Sequence, residues 1–179
     1  MTPSDRARAL VRGGYDLHIH ISPDLPPRRV DDLTLARRFA ELGLSGFALK
    51  SHYTSTAERA QVVSAAVPGV RVFGTLTLNQ GVGGMNALAV EIAAREGARI
   101  VWMPTFDSRA ETAGRSEPKP GDNVPQWAKF QHELRALGLG TEAVAVVDAD
   151  GEVLPEVRDV LRTIARHDLV LATAHLSRD

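Results

Sequence analysis

The sequence predicts an α/β fold of parallel strands joined by crossover helices. Three observations carry this expectation. Short apolar runs alternate with amphipathic stretches of helical period along most of the 179 residues, the pattern of a parallel sheet with helices packed on it. Polar residues recur at every second position near the C-terminal end of several runs, where α/β sheets and barrels build their sites. The composition, 44% apolar and 24% charged, is that of one globular domain with its own core. No repeat, low-complexity tract or linker divides residues 1–179.

Taken in order, YDLHIHI (15–21) reads as a first strand. VDDLTLARRFAELGL (30–44) has helical spacing at Leu33, Ala36, Phe39, Ala40 and Leu42. SGFALKSH (45–52) is a second strand, and TSTAERAQVVSAAV (54–67) a helix with Thr and Ser available as caps, closed by Pro68-Gly69. VRVFGTLTLN (70–79) is a third strand, whose glycine-rich exit QGVGGMN leads into the helix ALAVEIAAREG (87–97). ARIVWMPT (98–105) is a fourth strand and LVLATAHLS (169–177) a fifth. Two segments break the rhythm. Residues 106–126 are polar with several Gly and Pro, and a loop of that length suggests a lid or binding loop over the strand C-termini, the most mobile part of the body. In AVAVVDADGEVLPEV (143–157), Asp150-Gly151 between apolar flanks suggests a small β-hairpin insertion before a helix at about 155–167.

Composition also excludes function classes. A formal net charge of -1 argues against nucleic acid and anionic membrane as partners. No run approaches the ~18 apolar residues of a membrane span, and MTPSDRARALVRGG has no signal-peptide core. With no cysteine there are no disulfides or thiolate ligands, so a cytoplasmic location is expected and any metal must be bound through nitrogen and oxygen.

The parity of the strands singles out the candidate site. Asp16, His18 and His20 share one face of the first strand, opposite Leu17, Ile19 and Ile21. Same-face neighbours lie ~6.5–7 Å apart along a strand, a separation from which two imidazoles can converge on one ion at the ~2.0–2.1 Å bonds of zinc. The alternative is a pair of hydrogen-bonded core histidines. Ala48, Lys50 and His52 share a face of the second strand, Thr75, Thr77 and Asn79 of the third, and Thr173 and His175 of the fifth. His132 and His167 fall on helical stretches and read as surface or capping residues. A buried Lys50 is costly unless paired or neutralised. It reads as an ion-pair partner of Asp16, a side chain reaching the barrel mouth, a contact for an anionic substrate, a base of lowered pKa, or a carbamate that ligates metal. Gly83 and Gly84, in the turn that opens a helix, are candidates for binding an anion through backbone N–H groups, although a plain tight turn explains them as well.

The motifs DLHIHISPD, ALKSHYTST, TLNQGVGGMN, VWMPTFDS and ATAHLS, in that order and across nearly the whole chain, resemble a poorly characterised amidohydrolase-like family. Asp16-x-His18-x-His20 resembles the opening motif of the amidohydrolase superfamily of metal-dependent TIM-barrel hydrolases, and the resemblance implies a (β/α)8 barrel. It also implies metal ligation by His18, His20 and, later in the chain, His175. Lys50 is not a clean match to the superfamily's bridging lysine, which belongs on the fourth strand, and ARIVWMPT offers neither lysine nor glutamate. His52 is similar to the second-strand histidine of the polymerase-and-histidinol-phosphatase metal phosphoesterases.

Together these readings give a set of expectations. The barrel is incomplete, with about five strands and the C-terminal part missing, including the usual catalytic aspartate. A second copy, a separate chain or a C-terminal segment outside this sequence fills the gap, so a homo-oligomer is one expectation. The activity is hydrolysis of a small amide, cyclic amide, lactone or ester by metal-activated water. Zinc is the first candidate ion, with manganese, iron or nickel as substitutes. His18, His20 and His175 hold it, supported by Asp16, while Lys50, His52 and Asn79 meet the substrate. The alternatives are a metal phosphoesterase and a non-catalytic truncated barrel that keeps its metal site.

Overall fold

The strand–helix alternation is realised in a computed structural model that describes residues 3–113, 123–140 and 142–177. The short helix α1 (Asp5–Val11) opens the chain, capped by Ser4, whose Oγ accepts from Ala7 N at 3.2 Å. Five strands follow: β1 (Tyr15–Ile19), β2 (Gly46–Leu49), β3 (Arg71–Thr77), β4 (Ala98–Trp102) and β5 (Val170–Ala172). All pair in parallel, in the order β1-β2-β3-β4-β5, and the sheet curls into a half-barrel. Each strand lies beside the next in sequence, the arrangement that right-handed crossovers build step by step.

The crossovers are α2 (Asp32–Leu42), α3 (Ala57–Ala66), α4 (Ala87–Arg95) and, after two further short helices α5 (Arg109–Ala113) and α6 (Gln126–Ala136), α7 (Pro155–Arg166). Parity sorts the strand side chains. Ile21, Phe47 and Leu49 pack with Ala36, Phe39, Ala60 and Val63 of α2 and α3, while Leu76, Leu78, Val101 and Met103 pack with Val90, Ala93, Val157 and Val160 of α4 and α7. The helices therefore cover one face and leave the other for polar groups. At Gly74 the start of α3 comes so close that a Cβ would lie 2.4 Å from Ala57 Cα. Thr56 precedes α3, yet its hydroxyl does not cap it: Oγ1 lies 2.5 Å from Leu49 O and accepts from Thr75 N at 2.8 Å, bolting the helix start to two strands.

Several expectations are refined. Leu17 does not pack on helices; it is 55% exposed, because β1 is a sheet edge and α2 covers Ile19 and Ile21 instead. The expected hairpin at Asp150-Gly151 is reduced to one antiparallel bridge, Val147 to Val153. Its turn is held by Asp148, whose Oδ1 accepts from Asp150 N and Glu152 N. Helices α1 and α5 fall where no helix is expected. The expected lid, 106–126, begins in buried backbone at Phe106–Ser108 and continues as α5, and its middle, 114–122, lies outside the described residues. No helix among the described residues is long and apolar enough to cross a membrane.

Candidate functional site

The candidate residues gather beyond the C-terminal ends of the strands. His18 is on β1 and His20 is one residue past its end, while Lys50 and His52 directly follow β2. His175 is not on β5 itself; it sits three residues beyond, after Ala174 at φ 53, and its N–H donates to Pro104 O at 3.3 Å. With Phe106, Glu111 of α5 and Trp127 of α6, these five residues line one cleft of about 250 Å³. The imidazoles are neighbours. Ring centroids of His18 and His20 lie 5.5 Å apart, and those of His20 and His52 lie 4.5 Å apart at 22°.

A buried scaffold holds His52 in place. Its Nδ1 lies 2.8 Å from Thr105 Oγ1, which also accepts from Asn79 Nδ2 at 2.8 Å, while Asn79 Oδ1 accepts from Thr105 N at 2.9 Å. Asn79 Nδ2 also reaches His52 O at 3.2 Å. Beneath it, Thr75 and Thr77 donate to Leu49 O and Ser51 O at 3.0 and 2.7 Å. The inward polar stripe of β3 thus pins the segment that follows β2. Asn79, expected to meet substrate, is fully buried and acts as a support behind His52.

Lys50 is 2% exposed. Its Nζ donates to His18 Nε2 at 3.1 Å and lies 4.1 Å from the centroid of Trp102, whose ring meets that of His18 at 4.8 Å, tilted by 44°. The expected pair with Asp16 is not made: Asp16 Oδ1 accepts from His18 N at 3.0 Å, and Lys50 has no ion-pair partner among the described residues. Burial lowers the Lys50 pKa to about 8. It also lowers His52 to about 2, with the charges of His20 and Lys50 adding to the effect. His20 falls to about 4, through burial first and then the charges of Arg28 and Lys50. His18 is lowered as well, by desolvation and then by Lys50. Near neutral pH these three imidazoles are neutral, and Lys50 carries the positive charge deep in the cleft.

Gly83 and Gly84 stand apart from this cleft. They close a one-turn 3₁₀ helix (Gln80–Val82) at φ 86 and 65, and their N–H groups donate to Gln80 O and Asn79 O. Their amides are spent within the turn. Among the helical histidines, His167 ends α7, where its Nε2 lies 2.8 Å from Glu91 Oε2, and His132 lies on α6. Sequence reasoning did not single out Trp102, Thr105, Phe106, Glu111 or Trp127. Thr105 and Phe106 lie in VWMPTFDS at the end of the fourth apolar run, and their place at a strand's C-terminal end was the available signal. Glu111 and Trp127 come from helices whose direction no periodicity reveals.

The donor set suits a divalent ion in kind. Neutral imidazole is the form that binds metal. His175 Nδ1 lies 2.9 Å from Glu111 Oε1, the carboxylate–histidine pairing that commonly orients a ligand imidazole. His20 Nδ1 is buried without a hydrogen-bond partner among the described residues, an unusual cost for a polar atom. In position the set is open: among the described residues no three His, Asp or Glu side chains already stand as a group able to hold one ion.

Residues 13–179 match the model of DUF6282, a family of unknown function, and the chain belongs to that family. No curated protein and no solved structure matches it.

Proposed function

We propose that this DUF6282 chain is a metal-dependent hydrolase of small amides, cyclic amides, lactones or esters, built on the strand ends of a TIM-type barrel related to the amidohydrolases. One observation carries the reading: four imidazoles, from the ends of β1, β2 and β5, line a single small cleft together with a buried lysine. His18, His20 and His175 are the residues that would hold the ion, with zinc the first candidate and His52 within reach of His20. Such an ion, when bound, polarises a carbonyl and supplies hydroxide near neutral pH.

The chain's own residues have separable tasks. Burial keeps His20 and His52 neutral, so their ring nitrogens remain available as ligands or acceptors. Thr105 and Asn79 fix the orientation of His52. Glu111 orients His175 through Nδ1 and is a carboxylate at the cleft. Lys50 donates to the lone pair of His18 that an ion would need, so ligation by His18 would release the ammonium to neutralise a developing oxyanion or anchor an anionic group. Phe106 and Trp127 give the cleft an apolar, aromatic lining.

A metal phosphoesterase is the second reading, favoured by the closeness of His52 to His20. The test is to load the chain with zinc or manganese and assay panels of amides, lactones, carboxylic esters and phosphate monoesters. Turnover of the first three that is lost on chelation supports the hydrolase. Turnover of phosphate monoesters alone selects the alternative. Metal binding without turnover of any panel leaves a non-catalytic metal protein.

A further inference from the structure

The cleft combines an aromatic lining with a buried ammonium. One wall is aromatic: Phe106 is 5% exposed, and its ring lies within 15° of parallel to Trp127 with centroids 6.4 Å apart. Tyr53 packs behind it at 5.5 Å and is met edge-on by Phe130 at 5.7 Å. The same cleft is lined by Lys50, which is buried, donates to His18 Nε2 and makes no ion pair among the described residues. The other charges nearby are engaged: Arg28 pairs with Asp24 at 2.6 Å, and Glu111 with His175. A buried ammonium without an ion-pair partner costs free energy that an anion would recover. Near-parallel aromatic faces favour a flat ring by their quadrupoles, beyond simple area burial. A volume of about 250 Å³ lies at the small end for ligand sites, enough for a group of about one ring.

From these observations we propose that the cleft binds a small planar aromatic carboxylate, with its ring against Phe106 and Trp127 and its carboxylate toward Lys50. As a statement about substrate it rests on the hydrolase reading: the substrate is an aromatic acid that also carries the scissile amide or ester. As a statement about binding it stands alone.

The experiment is titration calorimetry on the purified chain with four probes: benzoate, cyclohexanecarboxylate, benzamide and benzyl alcohol. Metal content is measured on the same sample. Benzoate is expected to bind about fivefold more tightly than cyclohexanecarboxylate, which has the same charge without flatness. It is expected to bind more than about tenfold more tightly than the two neutral rings. Trp127→Ala, at a half-buried position, is expected to abolish the preference over cyclohexanecarboxylate, and Lys50→Gln the preference over benzamide. Should Lys50→Gln fail to fold by circular dichroism, the four probes on the unmodified chain still decide the matter. Equal affinity for benzoate and cyclohexanecarboxylate, equal affinity for benzoate and benzamide, or no benzoate binding overturns the proposal. Metal bound without these preferences removes the aromatic acid and leaves the hydrolase. The preferences without bound metal do the reverse.

Discussion

Thr105 Oγ1 lies 2.8 Å from His52 Nδ1 while accepting a hydrogen bond from Asn79 Nδ2, also at 2.8 Å. One hydroxyl therefore ties the end of β4 to the ends of β2 and β3 and sets the angle of an imidazole in the cleft. Thr105→Val keeps the shape and removes both bonds, leaving Asn79 and His52 with buried unsatisfied groups. Denaturant unfolding should show a loss of about 1–3 kcal/mol. Thr105→Ser, which keeps the hydroxyl, should lose clearly less. Little loss in Thr105→Val beside a clear loss in Thr105→Ser would mean that the Thr105 methyl, not its hydroxyl, is what matters.

On the outer surface, Glu91 of α4 receives Arg95, Arg166 and His167, joining α4 to α7. These hydrogen bonds, that from His167 foremost, lower its pKa from 4.5 to about 2. A depressed acid stabilises the fold above its unfolded pKa and loses that contribution as pH falls through the folded value. Glu91→Gln should therefore be less stable than the parent at pH 7, by the modest amount typical of surface ion pairs. The gap should narrow from pH 4.5 downward and close near pH 2. Thermal melts across that range check it; a gap independent of pH would show that packing, not charge, is at stake.

The half-buried imidazoles of the cleft act in a different window. His20 and His52 have folded pKa values of about 4 and about 2, below the ordinary 6.5. Below pH 6.5 the unfolded chain takes up protons that the folded chain refuses, so their contribution is whole above that point and declines on acidification. His52→Gln should show a shallower fall in stability between pH 6.5 and 4 than the parent. Parallel curves for the two proteins would place the acid sensitivity elsewhere.

Glu111 is only partly buried and holds His175 from α5. Glu111→Gln should leave the melting temperature nearly unchanged and weaken binding of a divalent ion by about 10–100-fold, the usual effect of losing an orienting carboxylate. Competition with a chelating dye measures this. Unaltered affinity would remove His175 from the ligand set or Glu111 from its support.

Much of this was legible in the sequence, for a physical reason. Strand side chains alternate, so the pairing of Leu17, Ile19 and Ile21 against His18 and His20 already said which side the histidines take. The same count placed Lys50 and His52 beside them. It misled where an element ended early: β1 stops at Ile19, β5 at Ala172, and edge position leaves Leu17 in solvent. Asn79 was read as a substrate contact because parity gives a face and not a depth; its side chain is consumed by Thr105 and the His52 carbonyl. Trp127 and Glu111 reach the cleft from helices outside the strand–helix repeat, and no periodicity in 106–126 says where such helices turn. Gly83 and Gly84 looked like an anion cradle because a glycine-rich turn and a vacant amide nest have the same sequence; here the amides are already donated.

Metal content of the purified chain, set against that of His18→Ala, His20→Ala and His132→Ala variants, bears most directly on the proposed function. Close to one zinc or manganese ion per chain is expected in the parent, with occupancy lost in the two cleft variants and retained in His132→Ala, whose residue lies on α6 and not in the cleft. A parent that takes up no divalent ion, or equal loss from all three variants, would contradict a metal centre at this cleft and with it the hydrolase.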